Sequence, residues 1–72
     1  MDLSNSSNLT LLYLSHNQLT DINVSNTPNL EYLSLADNFL TSIDVSLHPQ
    51  LWFLNLDKNQ LTSVDVQNND LL

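Results

Sequence analysis

Leu9-Thr10-Leu11-Leu12-Tyr13-Leu14-Ser15-His16-Asn17-Gln18-Leu19 is the key to this chain, because the chain says it twice more. Leu30, Leu33, Leu35, Asn38 and Leu40 repeat its leucines and asparagine after 21 residues, and Leu51, Leu54, Leu56, Asn59 and Leu61 repeat them again. The period continues beyond the segment, through Ile22, Ile43 and Val64 and through Val24, Val45 and Val66. Self-similarity at a fixed short period is the mark of a solenoid, in which one small unit stacks on its copies. One coil cannot bury its own leucines, whereas stacked coils make continuous leucine columns.

The register divides all 72 residues into one domain: a partial repeat at 1–8, repeats at 9–29, 30–50 and 51–71, and Leu72 opening a truncated fourth. Leu12 and Leu14 alternate with Tyr13, the period of a half-buried strand. This predicts short strands near 11–15, 32–36 and 53–57. The alternation Ile22-x-Val24 predicts extended segments on the opposite wall near 22–24, 43–45 and 64–66. Pro28 and Pro49 mark the corners between walls. Each wall is too short for a full helix, so the expected fold is mainly β, with a parallel sheet on one wall. Asn17, Asn38 and Asn59 fall where the chain leaves the strand. An amide there pairs with backbone N–H and C=O groups that the turn leaves unsatisfied.

Composition narrows the partners. Net charge is −7, with Lys58 the single Lys or Arg, so the surface repels nucleic acid and anionic lipid and suits a basic protein. No apolar run approaches the roughly 20 residues of a membrane helix, so membrane insertion is not expected. There is no cysteine to form a disulfide or thiolate metal site. Glycine is absent too, so tight turns with positive φ are expected to use Asn or Asp, in which the chain is rich.

The pattern L-x-x-L-x-L-x-x-N-x-L, here Leu9-x-x-Leu12-x-Leu14-x-x-Asn17-x-Leu19, resembles the leucine-rich repeat signature. The short unit with its Asp44-Val45-Ser46 element resembles the repeats of bacterial surface and secreted proteins, internalin-like in layout. The resemblance implies a curved solenoid whose sheet lines the concave wall, a protein-binding role there, and an extracellular or cell-surface location. It also leads one to expect polar caps, and none is visible. The expectation is a slice of a longer array, with a short natural or engineered chain that tolerates open ends as the alternative. Open ends expose leucine columns and strand edges, through which such chains self-associate. Asp70 in the slot of Pro28 and Pro49 predicts a looser last corner.

The concave columns supply the candidate contacts. Tyr32 and Phe53 share one with Leu11; Tyr13 shares the next with Ser34 and Asn55; Trp52 and Glu31 share another with Thr10. Tyr13, Tyr32, Trp52 and Phe53 are the expected partner contacts, since exposed aromatics on a rigid sheet make binding anchors. Glu31, Asp37 and Asp57 are expected to set a preference for a basic partner. Structural spacing without a ligand and glycan binding through the aromatics are the alternatives. His16, Asp37 and Lys58 form a column that predicts ion pairing between coils, a weak device at an exposed site.

No catalytic residue is assigned. Ser15 or Ser34 near His16 and Asp37 lacks the oxyanion hole and pocket of a hydrolase, so an enzyme is not expected. No metal or other cofactor is expected either. The acidic column of Asp2, Asn23, Asp44 and Asp65 reads as a solvated face, and His48 has no second ligand in register. The threonine column of Thr20, Thr41 and Thr62 reads as hydroxyls bonded to nearby turns.

Overall fold

The computed structural model describes residues 3–72. Three strands, β1 (Leu11–Tyr13), β2 (Tyr32–Ser34) and β3 (Phe53–Asn55), form one parallel sheet in the order β1-β2-β3. Leu12 pairs with Leu33 and Leu33 with Leu54, so the sheet register is the sequence period itself. The described residues contain no helix. The strands are shorter than the alternation predicts. The ladder continues past their ends as single bonds from Leu14 N to Ser34 O, Leu35 N to Asn55 O and Asp37 N to Asp57 O, each 2.8–2.9 Å.

The core is the set of repeating apolar slots. Val24, Leu30, Leu33, Leu35, Leu40, Val45 and Leu51 are buried, and Leu12, Leu14, Leu54 and Leu56 pack against them partly buried. The difference follows from stacking: the middle coil has a neighbour on both sides, the outer coils on one. At about 1.5–3 kcal/mol for each fully buried Leu or Val, this column is the main favourable contribution to folding.

After each strand the chain turns at His16, Asp37 and Lys58, whose φ values are 63°, 61° and 57°. Of the three only Asp37 is of the expected Asn or Asp type, because the asparagine of each turn is the next residue and its amide is used for bonding. A left-handed residue other than glycine costs about 1–2 kcal/mol. The next residue in each case is the column asparagine. Asn38 accepts from Leu19 N at 3.0 Å and donates to Leu35 O at 2.9 Å and Leu14 O at 3.1 Å. Asn59 repeats this one coil later, with Leu40 N, Leu56 O and Leu35 O. One amide per coil, buried at Asn38 and half-buried at Asn59, thus closes its own turn and bolts it to the coil before. The expected role of the column is what the structure shows, except that Asn17 reaches only Leu14 O and Ser15 O of its own coil.

The convex wall departs from expectation. Residues 22–24, 43–45 and 64–66 form no strand. Their polar groups bond locally instead. Thr27 N donates to Val24 O, His48 N to Val45 O and Asn69 N to Val66 O, at 3.0–3.2 Å. Each carbonyl that accepts a turn bond is diverted from a strand ladder. The corner then closes by Leu30 N to Thr27 O, Leu51 N to His48 O and Leu72 N to Asn69 O. The corner that carries Asp70 therefore keeps the same bond, at 3.1 Å, as those that carry proline, and is not opened by the substitution.

A second ladder, not foreseen from the sequence, lies at this corner. Thr27 and His48 are fully buried, and Asn69 nearly so. Thr27 Oγ1 donates to Val24 O at 2.9 Å. His48 Nε2 donates to that same carbonyl from the next coil, also at 2.9 Å. Asn69 Nδ2 then donates to Val45 O and His48 O, each at 2.9 Å. His48 Nδ1 and Asn69 Oδ1 are buried without a partner, a cost of about 1–3 kcal/mol each that offsets part of the gain.

Asn38→Ala orphans Leu19 N and the carbonyls of Leu14 and Leu35, and is expected to destabilise the chain by about 3 kcal/mol. Asn17→Ala loses only bonds within an exposed turn and is expected to cost about 1 kcal/mol or less. Urea melts of the two variants give the comparison. Equal midpoints would contradict the bolting role of Asn38.

Candidate functional site

The sheet register builds an aromatic cluster on the concave wall. Tyr32 and Phe53 are paired rung to rung. Their rings stack with centroids 4.2 Å apart and planes 3° apart. Tyr13 stacks on the other side of Tyr32, at 5.6 Å and 21°. Trp52 stands beside the stack, nearly perpendicular, 6.0 Å from Tyr32 and 6.2 Å from Phe53. All four aromatic candidates are therefore brought together. Aromatic pairs in these geometries contribute about 0.5–1.5 kcal/mol beyond area burial, so the cluster is preorganised.

Exposure divides the four. Tyr13 is 64% and Trp52 53% exposed, whereas Tyr32 and Phe53 are half-buried. Tyr32 has Phe53 on one face and Tyr13 on the other, leaving its edge for solvent. The Tyr13 hydroxyl beside it raises the Tyr32 phenol above its ordinary value of 10.0. Ser34, placed by its column on the outward face, is buried and its hydroxyl lies 2.7 Å from that of Ser15. A short side chain paired between Tyr13 and Asn55 does not reach their height.

The three acidic candidates behave differently from one another. Glu31 immediately precedes β2 and is exposed, and among the described residues no neighbour engages its carboxylate. Asp57 is exposed, and its backbone N–H is held by Asn55 Oδ1 at 3.0 Å. Asp37 is engaged: its Oδ2 lies 2.8 Å from His16 Nδ1 of the previous coil. Among the described residues Lys58 forms no ion pair with it, so the expected three-member column is a pair. The Lys58 side chain is long and exposed, and its ammonium gains little by being fixed.

The convex acidic column has a structural role that its spacing did not reveal. Asn23 Oδ1 accepts from Ser25 N, Asp44 Oδ1 from Ser46 N, and Asp65 Oδ1 from Gln67 N, at 2.9–3.0 Å. These are turns closed by an Asn or Asp side chain two residues back. Asn works as well as Asp, and that alternation within one slot is the signal in the sequence. Asp2 lies outside the described residues. Among the described residues no group of three or more His, Asp or Glu is placed to hold a metal ion.

Matched against protein families, residues 7–48 fit the family described as "Leucine Rich repeats (2 copies)". The chain belongs to the leucine-rich repeat family, and its short repeats are of the bacterial, internalin-like kind. Domains of this family are in general modules for protein–protein interaction. Among solved structures it is similar to the functional domain of InlJ from Listeria monocytogenes, with a TM-score of 0.97 and 43% identity. The match covers 100% of this chain and 16% of that one, so this chain spans about one sixth of its length. That domain is described as including a cysteine ladder. This chain has no cysteine, and its own ladders are the asparagine column and the Thr27, His48 and Asn69 column. No curated protein sequence matches the chain.

The Asp44 carboxyl is held below its ordinary value of 3.8, first by the Ser46 hydroxyl and then by the Ser46 N–H. A depressed carboxyl contributes stability that is present above pH 3.8 and is lost as pH falls through the lower, folded value. Asp44→Asn keeps the turn, as Asn23 does, and should remove this part of the acid dependence. NMR titration of the Asp44 carboxyl is expected to give a midpoint below 3.8; a midpoint at or above it would contradict the assignment.

Proposed function

We propose that this chain is part of a non-enzymatic, extracellular or surface-displayed bacterial protein, and that it binds another protein through its concave wall. The single domain 1–72 is, in this proposal, a run of repeats within a longer array. The observation that carries the proposal is the interlocked cluster of Tyr13, Tyr32, Trp52 and Phe53 on a rigid parallel sheet. Tyr and Trp dominate the anchors of protein interfaces, and a pre-stacked cluster loses little side-chain entropy on binding. Glu31 in the column of Trp52 and the exposed Asp57 past the end of β3, within a chain of net charge −7, favour a basic partner.

The ring geometry bears on the glycan alternative. A sugar stacks on an open aromatic face; both faces of Tyr32 already carry a ring, so such stacking is confined to the exposed Tyr13 and Trp52. Protein contact uses all four members, through ring edges and hydroxyls as well as faces.

Photo-crosslinking tests the proposal. A photoreactive residue replacing Asn55 on the concave wall, or Ser63 on the far wall, is exposed to a panel of purified surface proteins of either sign of charge. The expected outcome is a crosslink at position 55 to a basic protein, lost in the Tyr32→Ser, Trp52→Ser double variant. Equal crosslinking at position 63, or no effect of the double variant, would contradict it.

A further inference from the structure

We infer that Trp52 and Glu31 form a seat for an arginine side chain of the partner. The inference rests on the protein-binding proposal above and names the chemistry of its anchor. The two residues occupy one column on adjacent coils, linked by Trp52 N donating to Glu31 O at 2.9 Å. Neighbouring strands of a sheet run about 4.8 Å apart, so the backbones of the two residues adjoin just ahead of β2 and β3, and a Glu31 side chain extended toward the next coil brings its carboxylate within reach of the indole.

Three observations converge on this pair. Trp52 is the aromatic held out of the stack: it is 53% exposed, and its plane lies 71° and 72° from Tyr32 and Phe53. Glu31 is exposed and has no partner among the described residues, unlike Asp37, which His16 already engages. The half-buried Tyr32 and Phe53 brace the indole from one side at 6.0 and 6.2 Å. A planar guanidinium is the group that satisfies both members together. It stacks on an indole and forks onto a carboxylate, whereas an ammonium meets each as a point charge. The net charge of −7 draws such a group toward the chain but does not distinguish this seat from the rest of the surface.

The test uses the whole chain and a defined probe. The peptide acetyl-Arg-Ser-Arg-Ser-Arg-amide is titrated while the Trp52 indole N–H is followed by NMR; Trp52 is the single tryptophan, so the signal is unambiguous. The lysine counterpart of the peptide carries the same charge. The expected result is a saturable indole shift, with the arginine peptide bound about threefold or more tightly than the lysine one. Glu31→Gln is expected to weaken the arginine peptide about threefold to tenfold. Asp44→Asn removes one charge from the convex wall and is expected to leave binding unchanged. Far-ultraviolet circular dichroism of each variant checks that the fold is kept.

An unmoved indole signal, equal binding of the two peptides, or equal weakening by Glu31→Gln and Asp44→Asn would overturn the arginine seat. Any of these alongside a concave crosslink at position 55 would overturn this inference alone. Loss of the crosslink as well would remove the concave-wall proposal on which it rests.

Discussion

One amide per coil holds this molecule together. Asn38 ties Leu19 N and Leu14 O of the first coil to Leu35 O of its own, and Asn59 does the same one coil on. The leucine columns supply the larger share of favourable energy, but hydrophobic burial has no direction and sets no register. The asparagine does. It follows a left-handed residue that would be costly alone, and it fixes where the next coil begins relative to the last.

From that register the concave surface follows. Residues 21 apart are forced side by side, so Tyr32 meets Phe53 face to face and the backbone of Glu31 bonds to that of Trp52. A slip of one residue would turn every outward side chain inward. The binding face is therefore a consequence of the stacking, not an independent feature. At the back, a different chemistry serves the same end. Asn23, Asp44 and Asp65 close turns, and Thr27, His48 and Asn69 bond the corner of one coil to its predecessor or to itself.

Much of this was legible in the sequence because repetition converts spacing into adjacency. Leu12, Leu33 and Leu54 need no prediction of long-range contact once the period is known; they lie together by symmetry. The same holds for Tyr32 and Phe53, which share a column; that Tyr13 and Trp52, from the columns on either side, close around them is a matter of side-chain angle that the period does not give. What the period does not encode is depth and angle. Ser34 shares a column with exposed Tyr13 yet is buried, because its side chain is shorter than its neighbours. Alternation at Ile22-x-Val24 looks like a strand, but the carbonyl of Val24 is taken by Thr27 and His48, so no ladder forms. The buried polar slot of Thr27, His48 and Asn69 changes residue type in every coil. A column whose only shared property is a hydrogen-bond donor is invisible to a search for identical letters. Nor does spacing tell that Asp37 answers to His16 and not to Lys58, since both lie 21 residues away.

Residue-resolved hydrogen exchange tests the central claim most directly. The backbone N–H groups of Leu19 and Leu40 lie outside every strand, and each is held by the side-chain oxygen of an asparagine, Asn38 and Asn59, at 3.0 and 2.9 Å. The account predicts that both exchange as slowly as Leu33 and Leu35 in the sheet core. Exchange of Leu19 and Leu40 at the rate of an unstructured peptide, with Leu33 and Leu35 still protected, would show that the amides do not bind the coils together.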